Sequence, residues 1–137
     1  YFRAFFRLAS VAMPETGLIW LFHSTDPWSG ADLGLLSDGR MRLRWIAADG
    51  MATVIPLEVR PQAERWLCVE YQFDTVAKTA RVWVDDAEMP GPLSAPGAID
   101  TIETIQVGPE ISDPVPTGFD MWIDEVALSG TRIGCTK

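Results

Sequence analysis

The chain has 137 residues, 47% of them hydrophobic and 22% charged, values that suit one folded domain over residues 1–137 and exclude a disordered or fibrous chain. Its apolar runs break at Arg, Asp, Pro or Gly well before the roughly 18 residues a membrane-spanning helix requires, so no membrane span is expected. Nineteen acidic against eleven basic residues leave a net charge of −8, which opposes phosphate neutralisation and excludes nucleic acid as an expected partner.

Read from the N-terminus, the chain is β-patterned almost throughout. It opens on Tyr1 without an initiator Met or a basic leader, which reads as a processed or trimmed edge. From Phe2 to Leu8 the even positions are all apolar and Arg3 and Arg7 occupy the odd face, the pattern of a half-buried strand. Residues 17–23 form a continuous apolar run, as in a strand covered on both faces. Between Leu33 and Trp45, Asp38-Gly39 separates two strand-like arms, a hairpin signal. The second arm sets Met41, Leu43 and Trp45 on one face and Arg40, Arg42 and Arg44 on the other. Asp49-Gly50 makes a second such turn, leading into residues 51–57.

In residues 66–73, Leu67, Val69, Tyr71 and Phe73 share a face against Trp66, Cys68, Glu70 and Gln72. A polar turn over 74–78 leads into a strand over 80–85. Residues 89–97 carry Pro90, Gly91, Pro92, Pro96 and Gly97, too many breakers for a regular element. Residues 99–107 begin as a short helical turn and end as a strand, 109–116 form a loop, and 119–128 supply the last strand. Recurrent strands, turn signals between them and no sustained helical periodicity predict an all-β, antiparallel two-sheet sandwich or barrel.

Two cysteines are present, Cys68 and Cys135. Oxidised, they would tether the C-terminus by closing a long loop, with about 4 kcal/mol of chain-entropy stabilisation, and would imply an oxidising compartment. The alternative is a buried Cys68 and an exposed free Cys135; the disulfide is favoured because an exposed terminal thiol invites oxidation.

Trp66-Leu67-Cys68-Val69-Glu70-Tyr71-Gln72-Phe73-Asp74 followed by Thr79-Ala80-Arg81-Val82-Trp83-Val84-Asp85-Asp86 resembles the paired strands of concanavalin A-like (laminin G-like) jelly-roll domains. In those domains a strand opening on Trp and ending on an aromatic and Asp turns into one ending in Val-Asp-Gly. Met121-Trp122-Ile123-Asp124-Glu125-Val126-Ala127-Leu128-Ser129 resembles the closing strand, with its Ile-Asp-Glu-Val core. Asp86 departs from the pattern, standing where Gly is usual. The resemblance implies a jelly roll with one flat-to-convex and one concave sheet, a structural calcium ion with Asp124 as ligand, and a choice among lectin-like binding, glycoside hydrolysis and polysaccharide lysis.

The residues speak against catalysis. No Glu is followed two positions later by Asp, as the hydrolases' Glu-x-Asp-x-x-Glu strand would require. Asp120 and Asp124 share a face but lie about 13 Å apart by strand rise, where retaining hydrolysis needs roughly 5 to 5.5 Å. The lyases' Gln-x-His strand fails because Leu21 stands two positions before His23, the only histidine. The expectation is therefore a non-catalytic binding or adhesion module, secreted or at the cell surface, whose partner is a polysaccharide or cell-surface glycan, or neighbouring extracellular domains; the alternatives are a divergent polysaccharide lyase or glycoside hydrolase, and a structural or protein-interaction domain of a larger secreted protein. Its candidate ligand-binding residues are Trp28, in the loop 24–30, the Arg40, Arg42 and Arg44 stripe, and Glu70 and Gln72. Unpaired, the arginines would suit a uronate or sulfated glycan. The competing expectation is cross-strand pairing with acids such as Glu58 or Glu70. Asp124, for its part, could be solvated or paired with Arg132 instead of metal-bound.

Overall fold

Alternation along the chain becomes alternation between core and outer face. The computed structural model describes residues 1–10, 19–25, 30–47, 49–91, 93–94, 101–108 and 120–136, with backbone alone at 19–25 and 94. Its strands are β1 (Phe2–Leu8), β2 (Ile19–Thr25), β3 (Gly30–Leu35), β4 (Met41–Ile46), β5 (Ala52–Pro56), β6 (Trp66–Asp74), β7 (Thr79–Val84), β8 (Ala87–Glu88), β9 (Leu93–Ser94), β10 (Thr104–Val107) and β11 (Met121–Leu128). Among the described residues there is no helix. The strands form two antiparallel sheets, one in the order β11-β1-β6-β7-β8 with β9 also on β7, the other in the order β10-β2-β3-β4-β5. The fold is an all-β jelly-roll sandwich, and none of its described elements is a helix able to cross a membrane.

The core lies between the sheets. Phe2, Ala4, Phe6 and Leu8 of β1, Val69 and Tyr71 of β6, and Val82 and Val84 of β7 face Ala31, Leu33 and Leu35 of β3 and Met41, Leu43 and Trp45 of β4. The Trp45 and Phe73 rings meet across the sandwich with centroids 5.0 Å apart. Each fully buried Leu or Val contributes about 1.5–3 kcal/mol relative to exposure, so the alternating register is strongly specified: a one-residue slip would turn a whole row into solvent.

Turn chemistry sets the hairpins. Gly39 and Gly50 adopt φ of +82° and +80°, which L side chains rarely adopt. At the first turn the Arg40 backbone N–H and guanidinium both donate to Asp38, at 3.0 and 2.7 Å. The backbone N–H is the main reason the Asp38 carboxyl titrates below its ordinary value; the guanidinium adds to this, and desolvation opposes it. Because the folded-state value is depressed, the turn's stabilisation is present above the unfolded pKa and lost as pH falls through the folded one. An NMR carboxyl titration should place the Asp38 midpoint below 3.8, and Arg40→Ala should move it upward without restoring it fully.

The structure departs from the sequence expectation in three places. Leu93–Ser94, inside the breaker-rich segment, bridges to Ala80 and Thr79, because a two-residue edge pairing needs no periodicity. Residues 101–103 carry no helical turn; residues 99–100, 109–116 and 119 lie outside the described residues. Asp85 and Asp86 both take left-handed φ, 48° and 67°, so the β7–β8 turn is made without glycine. There the Asp side chains take on further contacts, described below.

Candidate functional site

Arg40, just before β4, and Arg42 and Arg44 within it have three different environments. Arg40 is the most open, paired with Asp38 at 2.7 Å and Glu58 at 3.3 Å. Arg42 is wholly buried, with its Nη1 2.7 Å from Asp32 Oδ1. That contact is a close ion pair within the buried layer. Arg44 donates from Nε to the other Asp32 oxygen at 2.6 Å. Burial pushes the Arg42 guanidinium below its ordinary pKa, the Asp32 charge opposes this and the Arg44 charge reinforces it. The cross-strand acids are thus Glu58 for Arg40 and Asp32 for its two neighbours; Glu70 lies on the other sheet.

Backbone register lines up polar residues of neighbouring strands. Gln106 of β10, His23 of β2, Asp32 of β3 and Arg44 of β4 are successive Cα partners. A search for Gln and His on one strand could not find this pairing, which comes from two strands far apart in sequence. Trp28 lies outside the described residues.

On the opposite sheet Glu70 is fully buried, and both its oxygens are occupied. Oε1 accepts the Ile133 N–H at 2.6 Å and Oε2 the Gly134 N–H at 3.0 Å, while Arg132 Nε lies 3.5 Å away. Glu70 therefore holds the C-terminal segment against the outer face of β6. Gln72, two residues along the same face, is half-buried opposite Arg81. Cys68 and Cys135 are joined as a disulfide. Asp86 Oδ1 accepts from Arg132 Nη2 at 2.9 Å and from the Cys135 N–H at 3.1 Å. This gives Asp86 a role that the usual Gly could not fill, and it takes Arg132 away from Asp124.

Asp124 is the residue that the resemblance offers as a calcium ligand. This residue is exposed, and its Oδ1 accepts the N–H of Glu125 at 2.8 Å. Ca²⁺ needs six to eight oxygens, and no group of three or more His, Cys, Asp or Glu able to hold a metal forms among the described residues. Glu125, at φ 47°, sits where the β1–β11 register shifts, a bulge that takes its carboxylate to Arg3 at 3.4 Å.

A further site was not anticipated from the sequence. Where the chain crosses from β5 to β6, a cleft of about 130 Å³ is lined by Val59, Arg60, Gln62, Arg65, Trp66 and Asp85, with Pro61, Leu67 and Val84 beneath. The crossing is tied to both sheets: Met41 N–H donates to Val59 O at 2.8 Å and Glu64 N–H to Leu8 O at 2.7 Å. Trp66 opens β6 on its outer face and remains 39% exposed. The neighbouring acids are engaged elsewhere, Asp85 with the Cys68 N–H at 2.9 Å and Glu64 with Arg7. The signal available in the sequence was the density of Arg, Gln and Trp in Arg60-Pro61-Gln62-Ala63-Glu64-Arg65-Trp66, which strand periodicity passes over.

No family model matches the chain, and no curated protein matches it. Among solved structures it is similar to a native heptameric SAP-like pentraxin from Limulus polyphemus, with 12% sequence identity and a TM-score of 0.48. That alignment covers 91% of this chain and 62% of the pentraxin chain, so this chain spans under two thirds of the length of the protein it resembles.

Proposed function

We propose that this domain is a non-catalytic module of a secreted or cell-surface protein that binds carbohydrate. The observation that carries the reading is the β5–β6 cleft, where an exposed Trp66 ring stands beside the Gln62 amide and the Arg60 and Arg65 guanidiniums. A sugar offers an apolar ring face and a rim of hydroxyls, and an aromatic ring edged with hydrogen-bonding side chains matches both. Hydrogen bonds from the crossing segment to both sheets preorganise the cleft, which lowers the entropy lost on binding. The carboxylates around it are engaged as acceptors or ion pairs, not left as a general acid and base. The Cys68–Cys135 disulfide supports an oxidising compartment.

Screening against neutral and acidic glycans tests the proposal. Trp66→Ala should weaken binding by about 2 kcal/mol or more, roughly thirtyfold, as expected for a central aromatic contact. Failure of the wild-type domain to bind any glycan, or unaltered binding by the variant, would remove this reading.

A second reading, a divergent polysaccharide lyase, is favoured by the Gln106, His23, Asp32 and Arg44 row alone. An assay for unsaturated uronate absorbance separates the two readings. The commitment of Asp32 to Arg42 and Arg44 favours the binding module.

A further inference from the structure

Acids outnumber bases nineteen to eleven in this chain, so a guanidinium that meets no carboxylate is unusual. Arg3, Arg7, Arg40, Arg42, Arg44, Arg81 and Arg132 each have an acidic partner within 3.5 Å. Arg65 has none among the described residues: its Nη1 reaches only the neutral Gln62 Oε1, at 3.4 Å. Arg60 is exposed but less free, since its Nη1 donates to the Asp38 backbone carbonyl. Its one acidic contact is Asp38 at 3.9 Å, a carboxylate that Arg40 already holds at 2.7 Å. Both under-neutralised cations line the cleft that contains Trp66.

We propose that this cleft is a subsite for a single carboxylate-bearing sugar unit, a uronate, with Arg65 and Arg60 meeting the carboxylate and the Trp66 ring meeting the sugar face. The proposal rests on the carbohydrate reading above and adds the chemistry and the number of units. Size decides the number: the cleft is about 130 Å³. That is below the roughly 150 Å³ that encloses one benzene, so the cleft can seat the ring face and carboxylate of one sugar unit while its remaining hydroxyls stay in solvent. The planar, forked guanidinium suits a planar carboxylate. The net charge of −8 opposes an anionic ligand at long range, but at physiological salt the screening length is about 8 Å, so the charges that line the cleft, Arg60 and Arg65 against Asp85, govern the site.

The test is isothermal titration of the intact domain with galacturonate, glucuronate and mannuronate oligomers, each against its methyl ester, which keeps the sugar and removes the charge. At least one acid should bind tenfold or more tighter than its ester, and raising NaCl to 0.5 M should narrow the gap. Arg65→Gln should weaken acid binding several-fold more than ester binding and so shrink the preference, and Arg65→Lys should retain part of it. Trp66→Ala should weaken acid and ester alike. Equal binding of acid and ester by the wild-type domain would overturn the uronate assignment and leave the carbohydrate reading standing. Tighter binding of a sulfated galactose oligomer than of any uronate would overturn the carboxylate. Absence of binding to every oligomer would overturn both readings together.

Discussion

Asp32→Ala should destabilise the domain by about 3–5 kcal/mol, the loss expected when a buried charge is deprived of its partner. Asp32 and Arg42 are both fully buried, and the single carboxylate serves two guanidiniums, Arg42 at 2.7 Å and Arg44 at 2.6 Å. Removing it leaves Arg42 in a low-dielectric site with a second cation on the same strand face. Arginine cannot escape by releasing its proton, since its guanidinium stays charged at every accessible pH. Chemical denaturation should therefore show a lower midpoint with little change in slope. The double variant Asp32→Leu with Arg42→Met should recover most of the loss, because apolar replacement of a buried ion pair is commonly neutral or stabilising. If Asp32→Ala unfolds at the wild-type midpoint, the pair has no structural weight and is free for another role.

Loss of the Cys68–Cys135 disulfide, by reduction or by Cys68→Ala with Cys135→Ala, should lower stability by about 4 kcal/mol, or roughly 10–15 °C in melting temperature. The effect arises mainly in the unfolded chain, where the bridge closes a loop between residues 67 positions apart. The folded state has its own reasons to keep the tail in place. Ser129 N–H donates to the Tyr1 carbonyl at 2.9 Å, and the Tyr1 nitrogen donates to the Ser129 carbonyl at 2.7 Å. Arg132 stacks over the Trp83 ring at 5.1 Å, and Arg3 donates to Gly134 O at 3.2 Å. Gly134 adopts φ +77°, where its missing Cβ lets the tail turn onto Glu70 and Asp86. The reduced domain should consequently remain folded at 25 °C, with the tail still ordered. Thermal scans followed by circular dichroism with and without reductant would measure this, and identical melting curves would show that the tail contacts alone determine stability.

The exposed side chains of β11 complete the picture of the surface. Val126 and Leu128 are 52% and 71% exposed on the outermost described strand of their sheet. Arg7 shields part of the same strand by lying over the Trp122 ring, 4.8 Å from its centroid. The edge is also interrupted by the Glu125 bulge, a device that discourages pairing with another chain.

Local pattern determined the strands and which side of each one faces inward. Met41, Leu43 and Trp45, or Val69 and Tyr71, alternate so regularly that only one register keeps them from water, and Asp38-Gly39 marks its hairpin because few other pairs adopt the backbone needed there. Partners of charged groups were not legible in the same way. Arg42 and Arg44 could have met Glu58, Glu70 or a ligand; that they meet Asp32 follows from the β3–β4 register. Glu70 looked like a surface acid on a polar face, yet the last residues of the chain fold over it. The β5–β6 cleft was equally hidden, because it forms where a crossing segment meets a strand end and the β7 turn, not along any one strand. Periodicity is a property of neighbours in sequence, whereas a site is made of neighbours in space, and only closure of the two sheets brought these residues together.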